Sequence, residues 1–470
     1  MSTTTSQCSV MSLAGLLRDS GTAPGSFVQN QAQRVEWLNL LEGSVLHGRG
    51  DELQGRSVLI AVQSQLATVS ALIELDGIAR RIVLCTPDLP LEHLPYVIDT
   101  AEVDGIVTDQ AMTQLGDRPR SLLFSALSPS ILPHKSFGRA EHETEWILLT
   151  SGTTGRPKLV AHTLSSLTAG IRPRNTKTPE IVWSTFYDVR RYGGLQILLR
   201  AALAGSSLVL SSAVEPTADF LARAAASGVT HISGTPSQWR RALMSSASRL
   251  LKPKYVRLSG EAVDQAVLNN LRAAYPDARI VHAFASTEAG LAFEVHDGAS
   301  GFPEDTLENT SSVEMQVQGG TLRIRSAGAA SRYLGDDAPV LKDQSGFIDT
   351  NDLIELRNGR YYFAGRRDGV INVGGLKVHP EQVEAVISLH PDVQMCLVRA
   401  QKNPISGSLV VADVVLRKDT TPLESDVSLI EADILRLCRQ SLPVHTVPAA
   451  INIVPALGLG GAGKVMRRNA

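Results

Sequence analysis

Short apolar runs alternate with amphipathic stretches through the first three-fifths of the chain. The runs at 57–62 (SVLIAV), 81–85 (RIVLC), 105–108 (GIVT) and 146–149 (WILL) have the length and composition of strands. Between them, Ser64 to Gly77 and Leu91 to Thr100 read as helices. That alternation predicts a parallel sheet covered on its faces. The rhythm then returns. A helix from Leu195 to Ala204 feeds a strand at 207–212, and one from Ala218 to Ser227 feeds a strand at 230–233. A third helix, Ala262 to Tyr275, lies between strands at 256–259 and 278–284, so a second β/α sheet is expected.

From about residue 311 the period changes. VEMQVQGGTLRIRS and IELRNGRYYFAG place short alternating strands around turns, which predicts an antiparallel sheet or small barrel. Past Gly365 come a helix from Pro380 to Leu389, strands at 393–400 and 409–416, and a helix from about Leu429 to Ser441. The expected fold class is α/β. A large N-terminal domain, residues 1–367, would hold two β/α sheets (about 50–310) and a small antiparallel β subdomain (about 311–367). A small α+β C-terminal domain would occupy 368–470.

Composition narrows the function by exclusion. With 45 Lys and Arg against 47 Asp and Glu, the net charge is −2 and no block of one sign stands out, which argues against binding nucleic acid or a membrane surface by bulk charge. Cys8, Cys85, Cys396 and Cys438 form no CxxC pair, and the 11 histidines no HxH or HExxH, so neither a disulfide framework nor a transition-metal centre is indicated. No apolar run reaches the roughly 18 to 20 residues of a membrane helix, and the start lacks a basic n-region. A soluble cytoplasmic protein is the expectation.

One segment carries chemistry. Residues 146–160, WILLTSGTTGRPKLV, run from an apolar strand into a loop of glycines and hydroxyls that ends near Lys158. Glycines let backbone N–H groups converge on phosphate, and hydroxyls add donors without bulk. The spacing is not GxxxxGK[ST], so a P-loop reading fails. GLGGAGK at 458–464 spells that pattern but continues with Val465 and leaves too few residues for a helix.

The stretch Thr150 to Lys158 resembles the phosphate-loop signature of the adenylate-forming superfamily: acyl-CoA and aryl-CoA ligases, luciferases and peptide-synthetase adenylation domains. Four further motifs follow in the family's order, and together they span about residues 55 to 468. They are Phe284-Ala285-Ser286-Thr287-Glu288, Thr350-Asn351-Asp352, Gly365-Arg366-Arg367-Asp368 with Gly374-Gly375-Leu376-Lys377, and Gly463-Lys464-Val465-Met466-Arg467.

The resemblance implies an ATP-dependent acid–CoA ligase that works through an acyl-adenylate, with ATP, Mg²⁺ and CoA as its small molecules. Thr150, Ser151, Gly152, Thr153, Thr154 and Lys158 would hold the β- and γ-phosphates, Thr287 the α-phosphate and Glu288 the Mg²⁺. Asp352 would accept hydrogen bonds from both ribose hydroxyls, a task suited to an ionised carboxylate. Arg366 would lie beside the ribose and phosphate. Phe284 would stack on adenine with Gly260, Glu261 and Ala262 opposite; the competing reading is an ordinary core Phe. Lys464 would neutralise charge as the acyl–phosphate bond forms. The last domain would be mobile, swinging about Asp368 to bring Gly374 and Gly375 to the thiol tunnel.

The chain departs from the family at three places. Ala285 and Asn351 replace glycines, and Asn tolerates unusual backbone angles better than most residues. In STFYDVRRYGG, 184–194, the family's aromatic-His pair is absent, so the acid pocket is reshaped. Tyr187, Asp188, Arg191 and Gly193 are its candidate lining: Arg191 for a second carboxylate or a phenolate, Asp188 for an α-amine. The alternative leaves the adjacent arginines on a solvated helix start. His162 reads as structural or solvent-facing. The expected partners are a small carboxylic acid and CoA, or the phosphopantetheine of a carrier protein, and a homodimer is open. The competing functions are loading of an aryl or amino acid onto such a carrier, and a non-catalytic nucleotide-binding relative.

Overall fold

The computed structural model describes residues 11–19, 25–109, 122–125, 132–133, 142–150, 155–171, 181–308, 312–403, 407–417 and 424–458. Two large sheets dominate. In the seven-stranded sheet Ser57–Ala61 is flanked by Arg81–Leu84 and Gly105–Thr108, and Glu145–Thr150 and Leu122–Ser125 extend it, all parallel. Lys158–Thr163 then pairs antiparallel with Glu145–Thr150, and Arg332–Tyr333 closes that edge. The strands Ser57–Ala61 and Arg81–Leu84 are buried almost throughout, and apolar apart from their first residues, because both their faces are covered.

The eight-stranded sheet runs Gly290–Val295, Arg279–Ser286, Tyr255–Ser259, His231–Gly234, Val182–Thr185, Ser207–Val209, Phe27–Gln29, Arg34–Glu36. Its inner strands are parallel and its two edge strands antiparallel. Helices Gln65–Leu75 and Tyr192–Leu203 lie in the core shared by the two sheets, which is why Leu72, Ile73, Leu195 and Leu198 are fully buried. The helix Leu13–Asp19 joins this core: the buried carboxylate of Asp76 accepts Leu13 N–H at 2.7 Å and Trp146 Nε1–H at 2.7 Å. All four tryptophans, Trp37, Trp146, Trp183 and Trp239, are buried within the sheet region.

Phe302 to Arg366 supplies an antiparallel five-stranded sheet with its own core around Phe302, Leu322 and Ile324. Ile371–Val373 and Leu376–Val378 form a hairpin, and Val393–Asn403, Gly407–Leu416 and Ala450–Ile453 a three-stranded sheet. Helices Pro380–Ile387 and Glu424–Ser441 pack there with Val383, Ile434 and Cys438 buried. The expected α/β class, with two β/α sheets, an antiparallel subdomain and an α+β end, is the observed one. Differences are local. Phe27–Gln29, too short to show a period, joins the far side of the second sheet, with Arg34–Glu36 paired to it as the edge strand. The helix expected from Leu429 begins at Glu424.

Candidate functional site

Ligands of such sheets bind beyond the carboxyl ends of the strands, and Lys158, Glu288, Asp352, Arg366 and Asp368 come together near the end of the strand Glu145–Thr150. Thr150 ends its strand with Oγ1 buried and, among the described residues, without a hydrogen-bond partner, the state of a donor kept for a ligand. Ser151, Gly152, Thr153 and Thr154 lie outside the described residues, as does Lys464. Lys158 opens the next strand, its ammonium 5.2 Å from the centroid of the Tyr333 ring. Tyr333 in turn donates its hydroxyl to Glu288 Oε1 at 3.3 Å. Burial, with Glu288 beside it, pushes the Tyr333 hydroxyl above its usual range, so it stays a donor.

Thr287 and Glu288 sit half-buried in a tight turn between Arg279–Ser286 and Gly290–Val295. Gly290 closes the turn at φ +78°, where a Cβ would stand 2.5 Å from the Gly328 carbonyl oxygen. No other residue fits.

Asp352 and Arg366 are opposite one another on adjacent strands, 3.8 Å apart at their charged atoms. Asn351, at φ +60°, adopts the left-handed backbone that the substituted glycine position requires. Arg366 Nε also donates to Asp368 Oδ1 at 3.0 Å. Burial lowers Arg366, but Asp368, Asp352 and Glu288 outweigh it and hold it above its usual value. Asp368, raised by burial, is brought below the usual range by Arg366, and Lys158 adds to the effect. Lys158, Glu288, Asp352, Arg366 and Asp368 therefore form one electrostatic cluster.

Gly260 has φ +87°, and Gly374 and Gly375 have +58° and +88°. Glu261 is engaged locally: its carboxylate accepts Ser237 N–H at 2.9 Å and Ser237 Oγ–H at 3.1 Å at the start of helix Pro236–Leu243, while Ala262 is exposed. Phe284 is stacked on Phe363 (4.9 Å, 13°) and on Phe293 (5.7 Å, 16°), which makes it part of the antiparallel subdomain's core.

Two pocket expectations need correction. Both Asp188 oxygens are taken by Arg190, whose Nε and Nη2 approach at 2.7 and 2.5 Å, so Asp188 is not a free acceptor for an amine. Arg191 Nη2 lies 2.6 Å from both oxygens of Asp88, so that end of the guanidinium is already paired, while its Nε is buried without a partner among the described residues. Tyr187 is buried and donates to the Ser259 carbonyl at 2.7 Å, and its ring lies 3.3 Å from where a Cβ on Gly193 would stand. His162 is not solvent-facing: it is fully buried, and burial pulls it down to about 4, so it is a neutral imidazole.

Sequence reasoning missed Tyr333 and Arg200. Arg200 lies on helix Tyr192–Leu203, on one stripe with Tyr192 and Gln196. Those two, with Gly170, Leu291 and Gly328, line a cavity of about 30 Å³ that Arg200 itself does not line. Arg200 Nε is buried without a hydrogen-bond partner, and among the described residues the guanidinium forms no ion pair. Burial, then neighbouring Arg257, lowers its affinity for its proton. Glu294, the nearby acid, is bonded to Arg257 Nε at 3.1 Å.

A family model described as AMP-binding enzyme matches residues 44–334, more than half of the chain, and one described as AMP-binding enzyme C-terminal domain matches 382–464. A 2-succinylbenzoate–CoA ligase of Salmonella typhimurium is 27% identical over 436 residues, covering 88% of this chain and 86% of the relative. One from Bacillus cereus is 24% identical over 443 residues, covering 88% of each. Among solved structures, anthranilate CoA ligase AuaEII in complex with anthranoyl-AMP superposes with a TM-score of 0.81 at 17% identity, covering 97% of this chain and 96% of that one. The o-succinylbenzoate CoA synthetase of Bacillus subtilis, in complex with its acyl-adenylate intermediate, gives 0.70 at 18%, covering 96% of each. At those identities the superpositions speak for the fold.

Proposed function

The chain belongs to the family of AMP-binding enzymes, and from that premise we propose that it is an ATP-dependent carboxylic acid–CoA ligase. In the first half-reaction the acid's carboxylate attacks the α-phosphorus of ATP, giving acyl-AMP and pyrophosphate. In the second, the CoA thiol attacks the acyl carbon and AMP leaves. The observation that carries this reading is the convergence of Lys158, Glu288, Asp352 and Arg366 on one crevice beside the unpartnered Thr150 hydroxyl. Spread phosphate charge is stabilised by such fixed opposite charges and donors.

Lys158 and the Thr150–Thr154 loop hold the β- and γ-phosphates, Thr287 the α-phosphate, Asp352 the ribose hydroxyls. Arg366 lies beside ribose and phosphate. The site residues suit Mg²⁺: Glu288 is a hard oxygen donor with one oxygen taken by Tyr333, and no cluster of three or more metal-ligating side chains occurs among the described residues. A single carboxylate with phosphate oxygens is the usual Mg²⁺ set. Bound there, the ion would neutralise phosphate charge. Lys464 supplies the remaining cation during adenylation, and Asp368 is the hinge between residues 1–367 and 368–470.

The acid carries a second anionic group, as 2-succinylbenzoate does. Arg200 supports this, because a half-buried guanidinium whose buried Nε lacks an acceptor among the described residues gains a partner when an anionic group binds. The acid's tail enters between Tyr192 and Leu291, and Tyr192 turns aside, since the cavity of about 30 Å³ admits roughly one water.

The test is acid-dependent exchange of labelled pyrophosphate into ATP, with 2-succinylbenzoate, benzoate, fatty and amino acids, for the wild type and Lys464→Ala. Exchange with the dicarboxylic acid that falls at least about a hundredfold in the variant, followed by thioester formation on adding CoA, is the expected outcome. Exchange without transfer to CoA moves the acceptor to a carrier-protein thiol. A wild type silent with every acid sinks the ligase reading.

A further inference from the structure

His162 joins the strand that follows the phosphate loop to the Thr287–Glu288 turn. Its Nε2 lies 2.7 Å from the Thr287 carbonyl oxygen, and its Nδ1 3.0 Å from Ser166 Oγ. A carbonyl only accepts, so Nε2 must carry the proton, and Nδ1 is left as an acceptor facing the Ser166 hydroxyl, whose single proton also has the Thr163 carbonyl within reach at 3.0 Å. Ser166 is itself fixed in a capping box with Thr163 at the start of helix Leu164–Thr168. The imidazole also lies against Tyr192, with ring centroids 5.8 Å apart.

The next two carbonyls of the turn are held in the same manner. Ala330 N–H donates to the Glu288 oxygen at 2.8 Å, and Ser326 Oγ–H to the Ala289 oxygen at 2.9 Å. With three successive carbonyls tied down, the Thr287 and Glu288 side chains have little freedom other than to face the crevice. Two of the three donors come from the segment Ser326 to Ala330. The third, His162, reaches the turn from the strand that begins at Lys158.

We infer that His162 is a positioning residue, which aligns Thr287 and Glu288 with the phosphate-binding strand so that both meet the same nucleotide. It touches no reacting atom. The inference rests on the ligase reading for what the nucleotide is used for, but not for its binding.

The experiment compares wild type, His162→Leu, His162→Gln and His162→Asn as full-length proteins. Gln can place an amide N–H near the Nε2 position and reach Thr287. Asn places its amide near Nδ1, keeps a partner for Ser166, and falls short of Thr287. ATP affinity is titrated with Mg²⁺ and with EDTA, exchange rates are measured, and melting temperatures are recorded. Leu and Asn should weaken Mg²⁺–ATP binding about tenfold while ATP in EDTA changes less than about twofold. Their exchange kcat should fall about thirtyfold with the acid's KM nearly unchanged, and Gln should recover most of both effects. Wild-type values in a folded Asn variant overturn the inference, as does equal loss in Gln and Asn. So does a loss of ATP binding that ignores Mg²⁺, which marks a purely structural histidine. If the wild type shows no acid-dependent exchange, the ligase reading fails on its own, and the Mg²⁺–ATP titrations still decide the role of His162.

Discussion

Arg190, just before helix Tyr192–Leu203, and Arg200, in that helix's last turn, fare oppositely. Arg190, 2% exposed, spends its guanidinium within the protein: Nε and Nη2 grip Asp188, Nη1 donates to the Val62 carbonyl and Nη2 approaches that of Gln63 at 3.4 Å. The two carbonyls belong to the end of the strand Ser57–Ala61 and its following turn, so Arg190 fastens one large sheet to the other. Arg200, further along the helix, has a buried Nε with no acceptor, and the nearest acid is already bonded to Arg257. Burial alone therefore does not mark a ligand-binding charge. What separates the two is whether the protein has already satisfied the group.

The comparison is broken most sharply at Arg190. Arg190→Leu leaves Asp188 buried beside an apolar group, and removing one partner of a buried pair costs about 3–5 kcal/mol. Urea unfolding should show that loss, while the folded fraction keeps the wild-type KM for the acid. A neutral substitution would mean that the clip between the sheets is dispensable.

Arg200→Leu should behave in reverse. Removing a half-buried guanidinium whose Nε lacks an acceptor among the described residues leaves unfolding free energy unchanged or raises it by about 1 kcal/mol, whereas kcat/KM for a dicarboxylic acid falls about a hundredfold. ATP's KM should stay put. An Arg200→Leu enzyme equally active on the dicarboxylic acid would return Arg200 to the structural class. The smallest effect belongs to Arg191, whose pair with Asp88 is partly exposed. Arg191→Ala should cost under about 1 kcal/mol and leave the kinetics of both substrates unaltered.

These contrasts also explain what could be read from residues in a row. Glu288, Asp352, Arg366 and Asp368 were legible because each lies in a contiguous motif whose types and order are distinctive. The apolar runs at 57–62 and 81–85 were legible for a similar reason, since a strand buried on both faces writes itself as uninterrupted hydrophobics. Even Asn351 was readable, as the residue type best able to stand in for glycine at φ +60°.

What escaped depends on partners distant in sequence. His162 and Thr287, or Tyr333 and Glu288, meet only through the arrangement of separate elements. Asp188 and Arg191 looked like pocket residues because nothing nearby in sequence says that Arg190 folds back onto Asp188 or that Asp88, 103 residues earlier, pairs with Arg191. Arg200 drew no notice at all, since an arginine late in a helix is ordinary until its missing acceptor is visible.

The placement of the tryptophans has an optical consequence. All four precede residue 240 and are buried among the large sheets, so the chain beyond them contributes nothing to indole emission. Fluorescence is thus a private record of the sheet region, whereas far-UV dichroism sums over every helix and strand. Discordant melting curves from the two signals would time the unfolding of the last α+β unit separately. A tryptophan introduced at the exposed Leu389, 65% accessible, gives that unit a lamp of its own.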